Sequence, residues 1–391
     1  MTQQQLDETA RIYREVIFPT FDSVLKFAKD ANVVVSSNLT NLLCILMRQR
    51  LMEENYKHIP QFAFVHLQPL APNRIFPCYR TSSKREVVTA ILDHFHNDKT
   101  AAVPGISISE REKEYFDTYF TIDEAIYERL FQDPSQLPKM CSMADYRTIL
   151  KGEHPDFAII NAYTNFLVPA INTKLATEGI MDVGPLADNY QPMPLDESTM
   201  EAMERIEKFC EGCRDSLKPL CIGFGSMPFR HQQDVFNALK QVGNPPTILV
   251  GKALFPDEQQ HHDNILHVSS VPYPWLFPKC SVMICHGGMG VLASCLRAGI
   301  PAIVCPAMGD QFLTGSLAQG LGLGRQAGVS LNTLTAEQLV DAIQKVQANS
   351  GIFDRCKRVV ELIRSEKSTG VERLANWIIE QGRKRANPPN T

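Results

Sequence analysis

The stretch Val282-Met283-Ile284-Cys285-His286-Gly287-Gly288-Met289-Gly290 joins a short apolar run to the amphipathic pattern Gly290–Ala298. A continuous apolar run of this length predicts a buried strand, and the periodicity behind it predicts a helix. The three glycines then occupy a strand-to-helix turn, where the backbone can come close to a ligand. The helix start adds unpaired N–H groups and a partial positive charge, which favour a phosphate. His286 can hydrogen-bond to a diphosphate or, when protonated, pair with it. A tight turn whose glycines serve only packing accounts for the same residues without a ligand.

Strands and helices alternate on both sides of this turn. Apolar runs at Leu220-Cys221-Ile222-Gly223-Phe224, Thr247-Ile248-Leu249-Val250, Ile265-Leu266-His267-Val268 and Ala302-Ile303-Val304-Cys305 read as strands of a parallel sheet covered on both faces. Helical patterns fall at His231–Val242, Gln311–Gly320, Thr335–Ala348, Phe353–Ser365 and Gly370–Glu380, and Thr335-Ala336-Glu337-Gln338 reads as a capping box. The alternation predicts an α/β doubly wound sheet. Two more stretches then open on the same carboxyl edge as His286. Pro306-Ala307-Met308-Gly309-Asp310-Gln311 offers donors and acceptors suited to sugar hydroxyls, with helix capping as the alternative. Gly223-Phe224-Gly225-Ser226-Met227 places Ser226 where it could donate to a phosphate.

The first half has an irregular texture. Asp7–Lys29 reads as a helix interrupted near Pro19, followed by strands at Val33-Val34-Val35, Gln61-Phe62-Ala63-Phe64-Val65 and Phe157-Ala158-Ile159-Ile160. Helical stretches are expected at Glu110–Thr121 and Asp123–Gln132. The organisation expected is a first domain over 1–193, a linker and lead-in helix over 194–216, and a second domain over 217–391.

Composition narrows the function classes. Against 39 Lys plus Arg stand 43 Asp plus Glu, a formal charge of −4, and there is no basic block, so nucleic acid is not an expected partner. A 44% hydrophobic and 21% charged chain is neither disordered, collagen-like nor coiled-coil. No apolar run approaches the roughly 18 residues of a membrane span, and the polar opening MTQQQLDETARIYREV has no signal core. Eleven cysteines, several inside apolar runs, read as reduced thiols, so a cytoplasmic location is expected, peripheral to membranes at most. Cys210-Glu211-Gly212-Cys213 reads as a helix end rather than a zinc site, because no second pair accompanies it. The sequon Asn38-Leu39-Thr40 reads as chance.

The motif chain carries a resemblance. Ser270-Val271-Pro272-Tyr273-Pro274-Trp275-Leu276-Phe277, His286-Gly287-Gly288, Leu296-Arg297-Ala298-Gly299-Ile300-Pro301, Gly309-Asp310-Gln311 and Leu321-Gly322-Leu323-Gly324 follow one another with the order and spacing of a family. The half from Leu220 onward resembles the donor-binding domain of the family 1 glycosyltransferases of GT-B fold, above all the sterol glucosyltransferases and the bacterial antibiotic glycosyltransferases. Asp30–Ser37 resembles a mid-domain strand of the family's first domain. The resemblance implies two Rossmann-like domains facing across a cleft, the first lacking its amino-terminal part here. It also implies a UDP-sugar donor, most often UDP-glucose, used as a co-substrate, with no cofactor and no metal. By position, His286 and the amides of Gly288 and Gly290 would meet the diphosphate, with Ser226 beside them. Asp310 and Gln311 would hold the hexose, and the backbone near Val271 would meet the nucleobase.

Some residues depart from the family pattern. The family's general base follows the first strand of the first domain, and no residue here matches it, so the catalytic base is unassigned. His94 and His96 read as a polar helix face or an inserted loop. Cys285, Val291, Tyr273-Pro274 and Lys252 stand where the family often carries His, Thr, His-Asp and Trp. The expected activity is inverting transfer of a hexose to a hydroxyl of a sterol or other lipophilic acceptor. The alternative is a UDP-sugar-binding protein without a base, inactive or completed by another polypeptide. Aromatic residues within Tyr115–Phe131 read as core, with an acceptor pocket or a membrane surface as alternatives. Trp275 and Trp377 read as packing.

Overall fold

The computed structural model describes residues 18–37, 41–66, 154–162, 180–183, 195–213, 218–227, 231–251, 264–307, 311–328, 330–365 and 368–386, with residues 11, 15, 149 and 229. Two compact units emerge. One comprises Met1–Ser83, Ile108–Leu186 and Ser368–Thr391; the other comprises Lys84–Ser107 and Ala187–Lys367.

In the first unit, Pro19 sits in a 3₁₀ turn, Phe18–Thr20, ahead of α1 (Phe21–Ala28). The interruption read near Pro19 falls at this turn, where a proline is tolerated ahead of the helix. Then come β1 (Val33–Ser37), α2 (Asn41–Glu53), β2 (Gln61–His66), β3 (Phe157–Asn161) and β4 (Ile180–Asp182). The four strands pair in parallel in chain order, with Val33 opposite Gln61, Phe62 opposite Phe157 and Ile159 opposite Ile180. β3 is buried along its whole length, and the Phe62 and Phe157 rings stack at 5.1 Å. The sequence reading missed α2 because Leu43–Met47 are five consecutive buried residues, which hide a helical period. The helices read at Glu110–Thr121 and Asp123–Gln132 lie outside the described residues, as do His94 and His96.

The second unit opens with α3 (Glu197–Glu211), whose start is capped by Asp196 accepting from Thr199 N–H at 2.7 Å. It continues through β5 (Leu220–Gly223), α4 (Gln232–Gln241), β6 (Thr247–Val250), β7 (Ile265–Val268), the single turn α5 (Tyr273–Leu276), β8 (Val282–Cys285), α6 (Met289–Ala298), β9 (Ala302–Val304), α7 (Gln311–Gly320), β10 (Gly324–Gln326), α8 (Ala336–Gln347) and α9 (Ser350–Ser365). All six strands are parallel, in the order β10-β9-β8-β5-β6-β7. Winding reverses between β5 and β8, so the carboxyl ends of these two strands flank the crevice where such sheets take ligands. Each of the five strands read from apolar runs is present. β10, Gly324-Arg325-Gln326, has no apolar run and pairs only along the edge. The capping box at Thr335 and Gln338 is present in both directions.

The last helix, α10 (Gly370–Ala386), packs on the first sheet rather than the second. Trp377 and Leu374 lie against Ala63, Val65, Ile160, Ala162 and Val183. Arg373 Nε donates to the Val183 carbonyl at 2.7 Å, and Arg385 donates to the Ile59 carbonyl, Gln61 and Asp156.

Candidate functional site

β5 and β8 are neighbours and end in register, Gly223 opposite Cys285. The chain leaves β5 through Phe224 and a turn at Gly225, φ +61°, and Ser226. It leaves β8 through His286 and Gly287 into α6. The two exits touch, since a methyl carbon at Gly225 would lie 3.3 Å from His286 Cε1. Gly287 has φ +91°, and a methyl carbon there would sit 2.5 Å from Val304 Cγ1, so both conformation and space require glycine. Gly288 caps α6 without any side-chain acceptor. The Val291 and Leu292 amides donate to the Gly288 carbonyl, which leaves the Gly288, Met289 and Gly290 amides without intrahelical partners. A methyl carbon at Gly290 would meet nothing within 4 Å.

His286 fills the corner between these turns. Its Nδ1 is buried and has no hydrogen-bond partner among the described residues. Such an atom costs on the order of 1–3 kcal/mol if left unpaired. Burial holds the imidazole below its ordinary pKa, so it is neutral near pH 7. Burial pushes the neighbouring Cys285 thiol up to about 12, which removes it as a nucleophile.

Gln311 opens α7 and is buried. Its Oε1 accepts from Ala307 N–H at 2.9 Å, and its Nε2 lies 3.8 Å from Met227 Sδ. The side chain thus ties the loop after β9 to the loop after β5. Thr314, one turn further on and fully buried, donates from Oγ1 to the Gly287 carbonyl at 2.6 Å, with the Gln311 carbonyl 3.0 Å away.

The chain is similar to known proteins. The sequence profile of the family described as "Erythromycin biosynthesis protein CIII-like, C-terminal domain" matches residues 238–369. A sterol 3-beta-glucosyltransferase of Saccharomyces cerevisiae (strain YJM789) is 30% identical over 183 residues, covering 44% of this chain and 15% of that protein. One of Pichia angusta is 34% identical over 204 residues, covering 48% of this chain and 16% of that protein. The matched stretch thus spans about a sixth of these relatives' own length. A solved structure, the glycotransferase of kitacinnamycin, superposes with TM-score 0.60 over 97% of this chain and 84% of its own, at 15% identity. The second half of the chain is thus similar in sequence to glycosyltransferases, and the fold is theirs.

Ser226, His286, Gly288, Gly290 and Gln311 gather at one edge of the second sheet. Ser226 is exposed at its turn. Val271 follows β7 with its side chain buried, which leaves its backbone for any contact. Asp310 lies outside the described residues, together with Met308 and Gly309. Tyr273 closes over the end of β5: its Oη would lie 3.0 Å from a methyl carbon at Gly223. Its ring stacks on Phe277 at 4.7 Å, and burial raises its phenol above the usual range. Trp275 carries the Lys279 ammonium over its ring at 4.6 Å, a surface packing contact. Gly212 ends α3, and the Cys213 thiol donates to the Phe209 carbonyl. No group of three metal-ligating side chains occurs among the described residues, and none of their helices is long and apolar enough to cross a membrane. Sequence reasoning missed Thr314 and Met227. Within a helical pattern a threonine reads as filler, and only its depth against Gly287 gives it a role.

Proposed function

We propose that the chain binds a UDP-sugar at this edge and takes part in inverting transfer of a hexose, glucose by family precedent, to a hydroxyl of a sterol or other lipophilic alcohol. The observation that carries the reading is the buried His286 Nδ1, without a partner among the described residues, beside a helix start that no described side chain caps, at the point where winding reverses. A diphosphate offers that nitrogen a partner and gives the α6 amides an anion. His286 and the amides of Gly288 and Gly290 hold the leaving diphosphate, with Ser226 as an added donor. Asp310 and Gln311 hold the hexose, and the backbone near Val271 meets the nucleobase. Charge developing on the leaving group is stabilised by donors already in place, which lowers the barrier without a cation. Removal of the acceptor proton needs a base, and no residue of this chain is assigned to it.

A second reading, a donor-binding protein completed by another polypeptide, is favoured by β1. Among the described residues no strand pairs with its outer edge, and Val35 is 44% exposed there in a strand without charge or proline.

Calorimetric titration with UDP-glucose, paired with a radiolabelled transfer assay to a sterol, tests both. Binding with turnover supports the enzyme, and binding alone supports the completed form. A folded chain that ignores millimolar UDP-glucose sinks the donor assignment.

A further inference from the structure

We infer that Thr314 is a positioning residue that aims the Gly288 amide at the donor diphosphate and couples the phosphate-side turn to the sugar-side helix. The inference rests on the reading of this edge as a UDP-sugar site.

The Thr314 hydroxyl carries a single proton. The Gln311 carbonyl belongs to the first turn of α7, where backbone N–H groups further along the helix can serve it. The Gly287 carbonyl lies before a helix start, and the Thr314 hydroxyl at 2.6 Å is the donor the structure gives it. The proton therefore goes to Gly287. That carbonyl shares a peptide plane with the Gly288 N–H. In a trans peptide the two groups point in opposite directions, and the described chain has no cis bond. Holding the carbonyl inward against α7 turns the Gly288 N–H to the opposite side, away from α7; His286 stands close by, since a methyl carbon at Gly288 would lie 2.6 Å from its Nε2.

The constraint matters because this peptide joins two glycines. With Gly287 at φ +91° and no side chain on either residue, little else opposes rotation of the plane. Thr314 lies one turn after Gln311 in α7, so the contact that orients the phosphate-side amide also fixes the start of the helix bearing Gln311. A shift in either stretch is felt by the other. The methyl of Thr314 packs in a fully buried position, so its hydroxyl has no water to bond instead.

The test is calorimetric titration of the full chain with UDP, well below each variant's melting temperature. Thr314→Val keeps the shape and removes the donor; it is expected to bind UDP about tenfold more weakly, the worth of one buried hydrogen bond. Thr314→Ser keeps the donor and is expected to bind as the wild type does. A purely structural threonine would lower the melting temperature of Thr314→Val yet leave UDP affinity of the folded protein unchanged, and that result overturns the inference. If Thr314→Val does not fold, hydrogen exchange of the Gly288 amide in the wild type decides: UDP should slow it, and unchanged exchange in a chain that binds UDP overturns the proposal. A wild type that binds no UDP removes the donor-site reading itself, and the inference falls with it.

Discussion

The Arg385 guanidinium donates to the Asp156 carboxylate at 3.1 Å, joining the last turn of α10 to the head of β3 across 229 residues of sequence. Arg48 of α2 donates to the other oxygen of the same carboxylate at 2.8 Å. Three elements of the first unit thus converge on one acid that is only 17% exposed. Burial alone would raise the Asp156 pKa, but the hydrogen bonds and charges of Arg48, then Arg385, outweigh it and hold the acid below its ordinary value.

Asp156→Asn is therefore expected to cost about 2–3 kcal/mol of unfolding free energy, since it strands two partly buried cations. Arg385→Ala should cost less, because Arg48 still pairs with the acid. Urea titrations measure both. A folded-state pKa below the unfolded value of about 3.9 means the unfolded chain binds more protons at low pH. The stabilisation is thus fully present above that value and is lost as pH falls through the folded pKa. Asp156→Asn should flatten this part of the acid melt, and an unchanged acid profile would assign the sensitivity elsewhere.

His286 should make donor binding pH-dependent. The free imidazole is neutral near pH 7 because burial depresses its pKa. A bound diphosphate favours the protonated ring, so binding takes up a proton. UDP-glucose affinity should rise as pH falls from about 7.5 to 6, a range where the ligand's own diphosphate diester does not titrate. His286→Asn should remove the slope. The sign for stability of the free protein is opposite. With the folded pKa below the unfolded value of about 6.5, stability falls as pH drops through that value.

Gly290→Ala separates fold from ligand. The added methyl meets no described atom within 4 Å beyond its own helix turn and lies within the first turn of α6, so stability should hold or rise by up to about 1 kcal/mol. The same methyl enters the space assigned to the diphosphate. UDP should bind about tenfold more weakly. Paired thermal melts and titrations check this, and a variant that binds UDP normally would move the diphosphate away from Gly290.

Asp310→Ala should weaken UDP-glucose more than UDP, because its assigned partner is the hexose. The two dissociation constants, measured on one preparation, decide it. Equal losses would remove Asp310 from the sugar site.

The second sheet was legible residue by residue. Strands such as Val282–Cys285 are buried on both faces and so read as unbroken apolar runs. The glycines after them marked turns, and Thr335 with Gln338 marked a helix start. The edge strand Gly324–Gln326 was not legible, because pairing along one side leaves no apolar run. α2 was hidden by burial nearly all round. The site was half legible: the spacing placed His286, Ser226 and Gln311 at the ends of strands that proved to share an edge. It did not show that Gln311 is turned inward to Ala307 and Met227.

The sequence by itself determined the doubly wound second sheet, its carboxyl-edge turns and the resemblance to glycosyltransferases. Those features rest on local periodicity and on backbone needs that only glycine meets, and both are written within a few neighbouring residues. Tertiary structure alone decided that α10 rests on the first sheet, that His286 Nδ1 is buried without a partner among the described residues, and that Thr314 grips Gly287 across 27 residues. Each of these depends on burial and on which distant groups meet within hydrogen-bond reach. Neither is encoded in spacing along the chain.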